Sequence, residues 1–368
     1  MSKDLFDKPF DEGTKTKLDI FEKYLDNWLP TFIHGHYNKP IQIFDLFAGS
    51  GCDENGIPGS PLRTLTVIKK YSQMLVEKKK KVHIYLNDYD VDKYEILRAG
   101  VNHKVSELGL EGLVEIQCTN MEFVDCFEQH KNKMLNGCNL IFLDQNGFKW
   151  VSESIFAFLI DLDTTDYMFF ISSSFIHRFA DEEEVMKYHP KFDFAKIKNA
   201  SRKTVHTIIC EEFEKYVPQH VQSYAIVPFS IMKADRNNIY GLIFVTKHIR
   251  GADKFLQTVW KENVLNGTAN YDIDDDASKS QPDLFEGQKM TKIEGFQDDL
   301  KKRILSGEIR NNRDAFYHTI NLGHISQHAS EAIKAMKKEK IIVYNGKSPL
   351  VSYEKAVREN RILEYRLV

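Results

Sequence analysis

The residues best placed to do chemistry are Asp45-Leu46-Phe47-Ala48-Gly49-Ser50-Gly51, at the end of the short apolar run Ile41 to Phe47. Glycines are needed where a strand turns into a helix and the backbone must come close to a ligand. The spacing is not GxGxxG, because an acidic residue sits at the strand end and only two glycines follow. A dinucleotide site keeps this turn neutral and aims a helix N-terminus at a pyrophosphate. A carboxylate suits an ammonium instead, through charge-assisted hydrogen bonds. S-adenosylmethionine carries that ammonium and no phosphate, so Asp45, Phe47, Gly49 and Gly51 are expected around this cofactor. The competing reading is an ordinary strand-to-helix turn with a capping aspartate.

Three further positions fall at strand ends. In Asn87-Asp88-Tyr89-Asp90, Asp88 is expected to accept both ribose hydroxyls, against the alternative of a solvated turn. In Cys118-Thr119-Asn120-Met121-Glu122, Asn120 and Met121 are expected to frame an adenine, against a plain helix cap. Asp144, in Phe142-Leu143-Asp144-Gln145-Asn146-Gly147-Phe148, lies where open α/β sheets place their ligand crevice. It is the candidate catalytic residue, facing the transferred methyl and accepting a proton. Amino-methyltransferases often hold Asp/Asn-Pro-Pro-Tyr at this place; here Gln145-Asn146 replaces the prolines and Phe148 comes one residue late. His177, Arg178 and Arg202 read as solvated surface, and Trp150 and Phe169 to Ile171 as core.

These residues need a frame. Leu18, Phe21, Tyr24, Leu25 and Trp28 recur at helical spacing, and Leu29-Pro30 is expected to end that helix. Ser60-Pro61 reads as an N-cap with proline at the first helical position, opening a helix to about Val76. Strands follow at 82–86, 114–117, 140–143 and 167–171, with helices near 90–99 and 121–135. That alternation predicts an α/β fold with a mostly parallel, doubly covered sheet. Residues 175–217 read as a helical insertion. The runs 223–233 and 239–247 flank the polar turn ADRNN and predict an antiparallel hairpin. A parallel Rossmann-like sheet finished by such a hairpin is the class I methyltransferase arrangement.

The domain expected over 1–265 is followed by an acidic linker over 266–294 and a winged-helix domain over 295–368. Within the linker, Gln281, Leu284 and Phe285 match the QxxLF form that docks on the bacterial sliding clamp; packing onto the body is the alternative. Helical patterns at 297–305, 314–322 and 326–337 precede two strand runs, 340–344 and 350–353, around Asn345-Gly346, the order of a winged helix. The helix over 326–337 is then the recognition helix, offering Gln327, His328, Lys334 and Lys337 to DNA or RNA. Residues 297–368 hold 14 Lys and Arg against 9 Asp and Glu, whereas the rest holds 36 against 44. A basic tail on an acidic body suits an enzyme domain carrying a binding module, and winged helices bind proteins as well as nucleic acids.

Composition narrows the class. The 368 residues are 42% hydrophobic and 28% charged, enough for packed cores and unlike a disordered chain. The 5 cysteines are scattered and never form CxxC, which points away from a disulfide scaffold or zinc ribbon and toward a reducing cytoplasm. His34 with His36, and His324 with His328, read as surface or core histidines, so no metal is expected. No apolar run has membrane-spanning length, and the charged start lacks a signal-peptide core.

With these residues in place, the chain resembles the three-Cys-motif partner proteins, a bacterial family with a class I S-adenosylmethionine-dependent methyltransferase-like domain. The likeness lies in KPFDEGTKTKLDIFEKYLDNWL, DLFAGSG with GIPGSPLRTL, FLDQNG and LIFVTKHIRG, and covers roughly 5–265. The family reads D-P-F-G or D-P-Y-G where this chain has Asp144-Gln145-Asn146-Gly147. The resemblance implies a separate three-cysteine partner similar to radical-SAM enzymes. The expected function is therefore a cytoplasmic, S-adenosylmethionine-binding methyltransferase-like protein that works on or with nucleic acid. The alternative is a non-catalytic adaptor or DNA-binding regulator on the same fold.

Overall fold

The computed structural model describes residues 9–35, 37–144, 148–233, 238–279 and 289–368. The chain separates into two compact units, Met1–Gly251 and Ala252–Val368.

The first unit runs α1 (Glu12–His34), β1 (Ile41–Asp45), α2 (Ser60–Lys70), α3 (Ser72–Lys78), β2 (Val82–Asn87), α4 (Val91–Leu108), β3 (Val114–Thr119), α5 (Phe123–Leu135), β4 (Cys138–Leu143), α6 (Glu153–Asp161) and β5 (Thr165–Ile171). The insertion follows as α7 (Ser173–Arg178), α8 (Glu183–Met186), α9 (Phe194–Lys198) and α10 (Val205–Phe213), then β6 (Ala225–Met232) and β7 (Ile239–Thr246). The sheet order is β3-β2-β1-β4-β5-β7-β6. The first five strands run parallel, and β7 is antiparallel to both β5 and β6. This is the class I methyltransferase sheet. Continuous apolar runs take its centre: every residue of β1 and β4 is buried, as strands covered on both faces require. Pro228 lies in β6, the edge strand, where a missing N–H breaks no ladder. Residues 234–237 of the expected turn lie outside the described residues.

Two helix boundaries differ from the sequence reading. The first helix does not stop at Leu29-Pro30; α1 continues to His34 with Pro30 inside it. Proline there deprives the Asp26 carbonyl of its helical donor. The Tyr71 hydroxyl supplies the substitute, donating to the Asp26 oxygen at 2.9 Å. The second helix breaks at Tyr71 into α2 and α3, and its N-cap is Gly59. Ser60 makes no cap, because its hydroxyl serves Asp45 instead.

The insertion is helical as expected and extends the core. Phe156 and Phe169 meet Phe213 with ring centroids 5.2 and 5.0 Å apart, and Phe192 packs on the same ring. His189, fully buried among them, bonds the Tyr216 hydroxyl at 3.0 Å and the Phe148 carbonyl at 2.9 Å. His206 lies flat on Gly241, bonding Ser173 Oγ at 2.8 Å and the Leu242 carbonyl at 3.2 Å. Burial pushes both imidazoles down to about 4.

The remaining elements are α11 (Ile249–Glu262), which the sequence reading did not anticipate, α12 (Asp276–Lys279), α13 (Lys292–Leu305), α14 (Asn312–Asn321), α15 (Ser326–Lys338), β8 (Ile342–Val343) and β9 (Arg366–Leu367). The three last helices fall where their periodicity placed them, with Phe296, Leu300, Ile304, Phe316, Ile320, Ile333 and Met336 buried. The wing differs. β8 pairs with β9, not with 350–353, and residues Tyr353–Arg358 form a single π turn. Asn312 decides this. It is fully buried, donates to the Leu350 and Arg361 carbonyls at 3.0 and 2.9 Å, and accepts from the Leu363 N–H at 2.8 Å. That clasp holds 350–363 against α14, so only the chain end is left to pair with β8. Among the described residues, no helix is long and apolar enough to cross a membrane.

Candidate functional site

The carboxyl ends of β1, β2, β3 and β4 bring Asp45, Asp88, Asn120, Met121 and Asp144 to one edge of the sheet. Gly49 and Gly51 adopt φ of 61° and 85°, which side-chain-bearing residues rarely tolerate. The Gly51 carbonyl accepts the Gly59 N–H at 2.8 Å, closing the loop ahead of α2.

Asp45 is 2% exposed. It accepts the Ser60 hydroxyl at 2.6 Å and the Phe47 N–H at 3.3 Å. Burial pushes its carboxyl up to about 7; Ser60 opposes that rise, and the nearby Asp144 and Asp88 carboxylates add to it. Asp45 therefore sits where positive charge is short.

Asp88 is half-buried and holds the glycine loop itself, accepting the Gly49 N–H at 2.9 Å and the Asp90 N–H at 2.9 Å. Burial raises its carboxyl, against the Asp90 N–H and Lys93. The exposed Asn120 amide donates to the Asp88 and Tyr89 carbonyls at 2.9 and 2.7 Å, so its first duty is to shape that turn. Met121 packs against the core beside Phe123. Phe47 stacks on Phe123 at 4.7 Å, and Trp150 meets Phe123 edge-on at 5.7 Å, giving one apolar wall.

Sequence reasoning missed three residues here. Asn87, 2% exposed, ties the loops together: its amide donates to the Met121 carbonyl at 3.0 Å, and its Oδ1 accepts Thr119 Oγ1 at 2.9 Å and the Met121 N–H at 3.1 Å. Ser60 was assigned to a cap. Lys17 carries the third role, for its ammonium pairs with Asp144 Oδ2. That side chain is only 16% exposed, and Lys17 lies over the Phe170 ring at 4.5 Å. Asp144 thus reaches the mouth of β4 as expected, but with a counter-ion. A polar residue strictly inside a strand end, as Asn87 is, was the one available sequence signal.

In the second unit the expected groove residues divide. Gln327 and Lys334 are exposed, and Gln327 donates to Glu331 at 2.9 Å. His328 turns inward: it is 6% exposed, 3.1 Å from the His324 ring nitrogen and edge-on to Trp260 at 4.4 Å. It falls beside the apolar stripe of Ala329, Ile333 and Met336, and helical spacing takes it into the core. Lys337 is committed to the wing, donating to the Tyr344 and Gly346 carbonyls at 2.9 and 2.7 Å. Gln281, Leu284 and Phe285 lie outside the described residues.

Residues 270–349 match the family model described as a GMT-like wHTH domain. No curated protein matches the chain. Among solved structures, the chain is similar to the METTL16 MTase domain, at 9% identity over 62% of this chain and 66% of that one, TM-score 0.29. It is also similar to the DszA carbon methyltransferase, at 11% identity over 62% and 53%, TM-score 0.32. A third is the methyltransferase domain of bacterial CtHen1-C, at 13% identity over 61% and 97%, TM-score 0.29. The chain spans just under two thirds of the METTL16 domain and about half of the DszA protein. Strand order and the hairpin, rather than these distant likenesses, carry the fold.

Proposed function

We propose that this chain binds S-adenosylmethionine in the first unit and transfers its methyl group to an acceptor on, or held with, a nucleic acid. The carrying observation is Asp45. A carboxylate pushed up to about 7 beside a positive-φ glycine loop gains most from a cation, and the cofactor's ammonium is one. The residues present fit that nucleoside: Asp45 for the ammonium, Gly49 and Gly51 for close backbone approach, Asp88 for the ribose, and Met121 with Asn120 at the base. When bound, the cofactor supplies the methyl group on a sulfonium, which provides the driving force. The protein's own share is positioning, with Asp144 receiving the acceptor's proton.

Charge in the second unit supports the nucleic-acid half. Lys301, Lys302, Arg303, Lys355, Arg358 and Arg361 are paired with carboxylates. Lys334, Lys338, Lys340, Lys347 and Arg366 are exposed and have no carboxylate partner among the described residues. Lys337 joins the end of α15 to the wing turn, so these cations lie around one feature. The likeness of residues 5–265 to the three-Cys-motif partner proteins adds a three-cysteine, radical-SAM-like partner to the proposal, and the scattered cysteines add the cytoplasm as its place.

One observation favours the non-catalytic reading: Asp144-Gln145-Asn146-Gly147 stands where the resembled family reads D-P-F-G or D-P-Y-G. Calorimetry with S-adenosylmethionine and transfer of labelled methyl to DNA, RNA or protein separate the two readings. Binding with transfer supports the enzyme, and binding without transfer supports the adaptor. No binding sinks both cofactor claims. For the second unit, duplex affinity should fall with salt at a slope of about −4, as for four or five phosphate contacts. Lys334→Glu with Lys338→Glu should flatten that slope; an unchanged slope refutes the assignment.

A further inference from the structure

We propose that Lys17 is a positioning residue for the transfer reaction: by holding Oδ2 of Asp144, it fixes that carboxylate at the mouth of β4 and turns Oδ1 toward the methyl acceptor. This rests on the S-adenosylmethionine reading above.

Three observations carry it. Lys17 is 5% exposed, and lysines are almost never that deep unless paired. Its ammonium bonds Asp144 Oδ2, while Oδ1 takes no partner among the described residues. Among the described residues, one oxygen is anchored and the other is open to a ligand.

The ammonium is also held from a second side. It sits 4.5 Å over Phe170, whose ring stacks on Tyr240 at 5.5 Å with the planes 12° apart. Lys233 covers Tyr240 at 4.4 Å. A cation fixed between a carboxylate and an aromatic face has little freedom to leave.

Finally, the helix that carries Lys17 is fastened on both sides. The Phe10 N–H donates to Asp53 at 2.9 Å, and Asp53 in turn holds the 55–57 turn after the glycine loop. Asp11, the N-cap of α1, takes the Lys233 ammonium at 2.7 Å. The start of α1 therefore spans from the glycine loop to β6, with Lys17 reaching the mouth of β4 between them.

The chemical consequence concerns the pair Asp45 and Asp144. Asp45 faces Ser60 from α2, the Phe47 N–H from its own loop, Asp88 just after β2 and Asp144 just after β4. Asp88 faces the Gly49 and Asp90 N–H groups and Lys93. Lys17 is thus the cation set directly against Asp144, the carboxylate that in turn raises Asp45. In the transfer, the acceptor atom bonds the methyl carbon, the S–C bond pair stays on sulfur, and the acceptor's proton passes to Asp144 Oδ1. Lys17 stays on Oδ2 throughout and takes no proton.

The test uses the full chain and the variants Lys17→Met, Lys17→Arg, Asp144→Asn and the double Lys17→Met/Asp144→Asn. Thermal unfolding reads the pair without any ligand. Lys17→Met should lower Tm by several degrees, and the double variant should recover at least half of that loss, because no charge is then left alone. Calorimetry with S-adenosylmethionine across pH 5 to 9 reads the site. Removing the cation leaves the Asp144 charge unopposed beside Asp45, so the pH at which Asp45 takes its proton and affinity falls should move up from about 7. Lys17→Arg should restore the wild-type profile. A Lys17→Met profile that matches wild type overturns the positioning role, even if Tm drops. Additive Tm losses in the double variant overturn the charge pair itself. If wild type binds no S-adenosylmethionine at pH 8, the cofactor reading fails, and the unfolding cycle then reports a structural pair only.

Discussion

Replacing Asp45 by asparagine should stabilise the fold at alkaline pH while removing the cofactor site. In the folded chain this carboxyl holds its proton up to about 7, whereas its ordinary value is 3.8. Between those values the folded state binds more protons than the unfolded state, so this group makes stability fall as pH rises from about 4 to about 7. At roughly 1.4 kcal/mol per pH unit, the ionised carboxylate costs about 4 kcal/mol above pH 8. Asparagine carries no charge to bury. Its oxygen can still accept the Ser60 hydroxyl, now 2.6 Å from Asp45, but the 3.3 Å contact with the Phe47 N–H is lost, for about 1 kcal/mol. The net gain is about 3 kcal/mol at pH 8.5 and none at pH 4.5. For a unit of this size, that raises Tm by about 6–12 °C. His189 and His206, held down to about 4, act in the opposite sense, losing stability as pH falls from 6.5. They are common to both proteins, so the difference between variant and wild type isolates Asp45. Thermal unfolding at the two pH values gives the difference, and calorimetry should show S-adenosylmethionine affinity reduced at least tenfold. A variant less stable than wild type at pH 8.5, or equally shifted at both pH values, would refute the argument from burial. Unchanged affinity would refute the site.

Asn87→Ala should cost about 1–3 kcal/mol in urea unfolding, since it removes the partner of the part-buried Met121 N–H and carbonyl, and it should weaken cofactor binding as well. Full stability would show that Asn87 does not hold the loops. Gly241→Ala places a methyl 1.9–2.2 Å from the His206 ring, which must leave Ser173 and the Leu242 carbonyl. A loss of about 3 kcal/mol is expected, and an unshifted melting curve would contradict that packing. Asn312→Ala should release 350–363 from α14, seen as new proteolytic cleavage in that stretch at a cost of about 2–4 kcal/mol. Wild-type resistance in the variant would show that the clasp is redundant.

The strands and most helices were legible because each responds to its own neighbours in sequence. Ile41 to Asp45 and Cys138 to Leu143 are short apolar runs bounded by turn signals, as buried central strands are, and the two runs beside ADRNN pair with each other. Phe296, Leu300 and Ile304 mark one face of a helix without any tertiary information. The same local logic placed Asp45, Asp88 and Asp144 at the strand ends where the sheet does bring them together. It failed wherever a residue's partner came from elsewhere in the chain. Proline at position 30 ends a helix only if nothing replaces the lost donor, and Tyr71, far along the chain, replaces it. His328 reads as a surface contact until α15 is rotated by its apolar stripe. The strand that pairs with β8 could not be chosen before Asn312 claimed 350–363.

By itself, then, the sequence determined the strands of the large sheet, most of the helices and which carboxylates stand at the strand ends, because burial periodicity and turn chemistry are short-range. Only the tertiary structure decided the electrical character of the site. Asp45 is strained by burial and by its acidic neighbours, whereas Asp144, 127 residues from Lys17, is compensated. Charge interactions and desolvation depend on distance in space, and the spacing of residues along the chain does not contain that distance.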